Sequence, residues 1–87
     1  MPSAYTLVLR REAVDVFRSL RGSERQQFER FFDALQDRPG QPADAYTRDE
    51  LGRRLEIKYI GRFRVVYWID HAGNEVKVVK LELLPRQ

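Results

Sequence analysis

A chain of 87 residues is long enough for one domain and too short for two. It has no cysteine, which excludes a disulfide framework, a thiolate zinc site and a cysteine nucleophile. Charged residues make up 33% and hydrophobic residues 43%, the balance of a solvated surface around a packed core, and the net charge of +3 favours an anionic partner over a cationic one. The N-terminal stretch meets Arg10 and Arg11 after only a few apolar residues. It does not read as a signal peptide, and no stretch reaches membrane-spanning length, so a cytoplasmic location is expected.

In chain order, Tyr5–Leu9 is apolar and β-branched and predicts a short strand. Because both its faces are apolar, a place inside the sheet or beneath a helix is expected. From Ala13 the period changes: Ala13, Phe17 and Leu20 recur at helical spacing, and Gly22 is placed to end that helix. Ser23 with Gln26 fits a capping box for a second helix, whose apolar stripe is Phe28, Phe31, Phe32 and Leu35. Pro39-Gly40 stops it. The helices are expected near 11–21 and 23–38, as an antiparallel hairpin on one face of a sheet.

Residues 39–52 read as a loop, with room for a short helical turn at 44–46. Beyond it the period is two. Leu55, Ile57 and Tyr59 alternate with Glu56 and Lys58, and Phe63, Val65, Tyr67 and Ile69 alternate with Arg62, Arg64, Val66 and Trp68. Gly61 marks one turn and residues 70–74 another, and Val76–Leu84 closes the chain as a last strand before Pro85. The expected fold is α+β in the order β-α-α-β-β-β, one domain over residues 1–87. In it the last three strands form an antiparallel meander and Leu55 and Ile57 join Phe63, Val65 and Tyr67 against the helices.

The segment 53–64 concentrates Arg53, Arg54, Lys58, Arg62 and Arg64 against a single acid, Glu56. If the hairpin brings these side chains to one face, the sheet carries a basic surface with an aromatic at one end. Such a surface suits phosphate contact and base stacking, and equally suits plain solvation. His71, the only histidine, falls in a predicted turn, and one histidine with scattered acids predicts no metal site. No phosphate-cradling glycine loop or nucleophile elbow is present.

Gly61, Phe63-Arg64-Val65-Val66-Tyr67 and the closing run Val78–Arg86 resemble the RelE/ParE superfamily of bacterial type II toxin–antitoxin toxins. The resemblance covers essentially the whole chain. It implies a cognate antitoxin as partner and no cofactor. The activity expected from it is RelE-like inhibition of translation by metal-independent cleavage of mRNA on the ribosome; the alternatives are inhibition of DNA gyrase without an active site, as in ParE-like members, or no toxicity, in a degenerate member. Under the first, the substrate's own 2′-oxygen is the nucleophile. The protein then supplies a base, cations around the phosphate and a proton for the leaving oxygen. The resemblance assigns these catalytic roles to Lys58 as base, Arg64 on the phosphate and Arg86 on the phosphate or leaving group, with Arg53, Arg54 and Arg62 binding RNA. This chain departs from the nuclease pattern at Glu56, where another basic residue is usual, and at Pro85, where a histidine often stands. No catalytic tyrosine is expected in a chain that stops at Gln87.

Overall fold

The structure, a computed structural model, describes residues 5–85. Strand β1 (Thr6–Leu9) leads into helix α1 (Arg11–Ser19) and helix α2 (Gly22–Asp37). Strands β2 (Ala45–Arg48), β3 (Arg54–Ile60), β4 (Phe63–Asp70) and β5 (Glu75–Leu83) follow. The five strands form one sheet in the order β1-β5-β4-β3-β2. The last four make an antiparallel meander, and β1 returns beside β5 in parallel. No helix among the described residues is long and apolar enough to cross a membrane.

The helices form because their apolar residues fall on one face, and that face is the core. Ala13, Phe28 and Leu35 are fully buried and Leu20 and Phe32 nearly so; across from them lie Phe63, Val65, Tyr67, Val76, Val78 and Leu81 of the sheet. The rings interlock: Phe28 meets Phe63 edge-on at 5.5 Å, Phe31 meets Tyr67 at 5.8 Å, and Phe17 ties α1 to Phe32 at 5.8 Å. Such offset and edge-on pairs add to simple area burial.

Several local expectations are corrected. Helix α1 stops at Ser19, whose hydroxyl donates to the Val16 carbonyl at 2.6 Å, and Leu20 is already extended. Gly22, at φ +57°, therefore opens α2 and does not close α1. That places Ser23 inside the first turn, and no side-chain capping bond forms. Of the two places expected for the N-terminal strand, it takes the second: it lies at the sheet edge and not inside the sheet, with Thr6 and Val8 exposed and Leu7 and Leu9 packed against the helix-covered core. The expected loop contains strand β2, not a helical turn. All four β2 residues are exposed, so no apolar alternation marks it; backbone pairing with β3 makes it a strand. The Asp44 carboxylate, which accepts from the Tyr59 amide at 2.8 Å, anchors its start.

Register gives the largest correction. Gly61 and Arg62 form a two-residue turn, and Ile60 pairs with Phe63. Counting back, Lys58 pairs with Val65, Ile57 with Val66 and Glu56 with Tyr67. Directly paired residues share a face of the sheet. Glu56 and Lys58 therefore lie on the helix side, and Leu55 and Ile57 lie on the opposite, open side, outside the core they were expected to join. A short strand that is apolar at every second position, with the long amphipathic stems of Glu and Lys between, fits either face. The turn length decides which.

The open face of the sheet

The helix-free face is built from alternate residues of each strand: Leu55, Ile57 and Tyr59 of β3; Arg64, Val66 and Trp68 of β4; Lys77, Lys80 and Glu82 of β5. Near its middle, Leu55, Ile57, Val66 and Val79 floor a depression of about 290 Å³ rimmed by Arg64, Lys80 and Glu82. Between Val66 and Tyr67 the register with β5 shifts, so Val79 and Lys80 together face Val66. Such a bulge locally increases twist and re-aims side chains.

Arg64 is positioned as expected in mid-strand, but it is not free. Its Nε donates to Glu82 at 2.9 Å and its Nη2 to the same carboxylate, while Lys80 reaches the other Glu82 oxygen at 3.0 Å. This bonding raises the Arg64 pKa above the ordinary arginine value, chiefly through the Glu82 hydrogen bond, and holds the Glu82 carboxyl below the usual glutamate value for the same reason. Neighbouring strands thus present Arg64 with a carboxylate where an anionic ligand would place an oxygen.

The other expected site residues are dispersed. Lys58 lies on the helix side, 3.7 Å from Asp44. The structure does not bring it and Arg64 to a common surface. Arg54 is also on the helix side, forked onto Glu56 at 2.8 and 3.4 Å and lying over the Tyr46 ring at 4.1 Å. Arg62, in the turn, reaches back to Glu24 of α2 at 3.0 Å, which raises its pKa. Arg86 lies outside the described residues. Of the basic run, only Arg53 and Arg64 share the open face.

Arg53 belongs to a second group that the run of charges did not single out. The β2–β3 connection is closed by Asp49: its carboxylate accepts from the Leu51 amide at 3.0 Å and the Arg53 amide at 2.8 Å, and its own amide donates to the Arg53 carbonyl at 3.0 Å. Gly52, at φ +82°, permits the turn. So held, Arg53 lays its guanidinium 4.1 Å from the centroid of Trp68, and Lys77 approaches the same ring at 4.9 Å. The sequence signal for this pairing was present as the alternation placing Trp68 with Arg64; what it lacked was the hairpin that folds Arg53 across two strands. On the helix side, Tyr67 is buried beneath Phe31. Burial, with the nearby Glu56 and Asp44 charges, pushes its hydroxyl up to about 12. At the β4–β5 tip, exposed His71 shares a 2.8 Å hydrogen bond with the Tyr5 hydroxyl.

No family model matches the sequence, and no curated protein matches it. Solved structures do. The chain is similar to the archaeal RelE–RelB complex from Pyrococcus horikoshii OT3, with a TM-score of 0.77 and 22% identity over 97% of this chain and 99% of that one. It is similar to a YoeB/ParE toxin from Agrobacterium tumefaciens, with a TM-score of 0.71 and 12% identity over 92% of this chain and 99% of that one. It also matches the intact E. coli RelBE toxin–antitoxin complex, with a TM-score of 0.63 and 18% identity over 94% and 99%. The fold is that of the RelE/ParE toxins.

Proposed function

We propose that this chain, having the RelE/ParE fold, is the toxin half of a toxin–antitoxin pair and acts by binding its target, as the ParE-like gyrase inhibitors do, not by cutting RNA. One observation carries the choice. Arg64 faces away from the helices beside Leu55, Ile57 and Tyr59, none of them basic, while Lys58 sits on the helix side against Asp44. Cleavage by this set needs a base and a cation at one phosphate, within hydrogen-bond reach of its oxygens. Two side chains on opposite faces of a sheet do not meet that requirement. Glu82 adds to the argument, because a carboxylate bonded to Arg64 repels a phosphate approaching the same guanidinium.

The partner half of the reading is supported by the fold and by the open face. Two of the similar structures are toxin–antitoxin complexes. Here an apolar floor with a charged rim offers an antitoxin segment both burial and register. Acidic substitution at Arg64 is expected to weaken that complex.

The test is induced expression in bacteria, with translation and plasmid supercoiling followed separately. Growth arrest with loss of negative supercoiling and continuing translation is expected. Prompt arrest of translation with normal supercoiling would return the nuclease reading.

A further inference from the structure

The free edge of the sheet at β2 is not used by the reading above. β2 is the last strand in the sheet order, and all of its residues are exposed. It holds no proline or lysine and pairs with β3 without a register shift, so it lacks three of the usual devices that keep an edge from pairing. The ladder fixes which backbone groups are left over. The Asp49 amide donates to the Arg53 carbonyl, and Thr47 and Ala45 follow it opposite Leu55 and Ile57, so these three turn their backbone groups toward β3. Tyr46 and Arg48 turn theirs outward. Asp44 does not continue the outward series, because its amide donates to the Ile57 carbonyl at 3.0 Å.

We infer that this edge pairs with the same edge of a second copy of the chain, antiparallel, about a two-fold axis at Thr47, so that the two sheets become one. Three two-fold registers are available. With the axis at Tyr46, Arg48 faces the partner's Asp44, whose amide is already used. With the axis at Arg48, two arginines stand directly opposite each other, which is destabilising. With the axis at Thr47, Tyr46 faces the partner's Arg48 and Arg48 faces the partner's Tyr46, so every outward amide meets an outward carbonyl. The side chains favour the same register. Tyr46, 55% exposed, has the Arg54 guanidinium 4.1 Å from its ring centroid, and its ring gains a second cation in the partner's Arg48. Arg48 is steadied for this by the bond from its Nη1 to the Gly52 carbonyl at 3.0 Å. Thr47 meets its own copy, a cross-strand pair whose hydroxyls bond. Any extended peptide can take the backbone bonds; this reciprocal match of side chains belongs to a second copy. Because Thr47 also lines the depression beside Leu55 and Ile57, the pairing sets two open faces edge to edge.

Strands of four residues cover less than a standard interface, so the dimer should be weak. Sedimentation velocity of the full chain from about 10 µM to about 1 mM should show a reversible shift from monomer toward dimer. Arg48→Pro removes one outward donor at an edge position where proline is tolerated. It should keep its thermal melt and weaken association by about ten-fold or more. Cysteine variants report the register, since the chain has no cysteine of its own. Across an axis at Thr47 the two Cα atoms of that position lie about 4.5 Å apart, within disulfide range, whereas those of position 45 lie about 14 Å apart. With a mild thiol oxidant, Thr47→Cys should link into a covalent dimer and Ala45→Cys should stay monomeric. A monomer at every concentration, an Arg48→Pro chain that associates as well as wild type, or equal cross-linking of the two cysteine variants would each overturn the assignment. None of these readouts depends on whether the chain is toxic.

Discussion

Truncating Phe28 to alanine tests the face assignment from which the separation of Lys58 and Arg64 follows. Phe28 is fully buried, with ring centroids of Phe63 and Phe32 at 5.5 and 6.0 Å. Removing a ring from such a site loses its transfer free energy and leaves a cavity that the interlocked neighbours fill only in part, at a cost of about 3–5 kcal/mol. A domain of this length has a total stability on the order of 4–13 kcal/mol, so the variant sits near the edge of unfolding. With an m-value of about 1 kcal/mol per molar urea, the midpoint should fall by about 3 M or more. The matched truncation is Ile57→Ala. Ile57 is half-buried on the open face, where water refills the space, so its cost should stay near about 1 kcal/mol. Urea melts followed by far-UV circular dichroism measure both. Equal losses for the two variants would mean that β3 is turned over, with Ile57 in the core and Lys58 beside Arg64, and would refute the register argument.

Other outcomes follow from the charges and the turn. Tyr67, with its hydroxyl pushed up to about 12, should ionise well above the ordinary tyrosine value of 10.0 in an absorbance titration at alkaline pH. Because its folded pKa exceeds the ordinary value of 10.0, its contribution to stability is complete below pH 10 and is lost as pH rises toward 12; Tyr67→Phe should remove that loss. Glu82 and Asp70 have folded pKa values below their ordinary 4.5 and 3.8, held down chiefly by the Arg64 bond and the Gly73 amide. Their contribution is therefore present above those values and lost as pH falls through the lower folded ones, so Glu82→Gln should flatten the acid limb of a stability–pH profile. Asp49→Ala removes two amide bonds from the β2–β3 turn and should cost about 1–2 kcal/mol in a urea melt. Arg62→Ala should leave the urea midpoint nearly unchanged, because its bond to Glu24 is an exposed surface ion pair.

The helices and β4 were legible because burial and period coincide there. Phe28, Phe32 and Leu35 fall on one helical face, and Phe63, Val65 and Tyr67 on one strand face, with little that could reverse them. Strand β2 was not legible, since none of its residues is buried and its pairing is made by backbone groups that every residue carries. The face of β3 was not legible either. Leu55 and Ile57 look like core residues, yet the parity of a two-residue turn sends them outward, and a one-residue difference in the turn would reverse the whole strand. The candidate site inherits that ambiguity. A basic run read along the chain has no face until the turn is fixed. The same folding that separates Lys58 from Arg64 carries Arg53 over to Trp68, which lies fifteen positions away and in another strand.

The most direct test of the proposed role, binding a target without cutting RNA, is primer extension on translated messages from cells expressing wild type, Lys58→Ala and Arg64→Ala. No new 5′ ends should appear with any of the three, at induction levels where wild type stops growth. New ends with wild type that disappear in both variants would show Lys58 and Arg64 acting at one phosphate, and would contradict the proposed role.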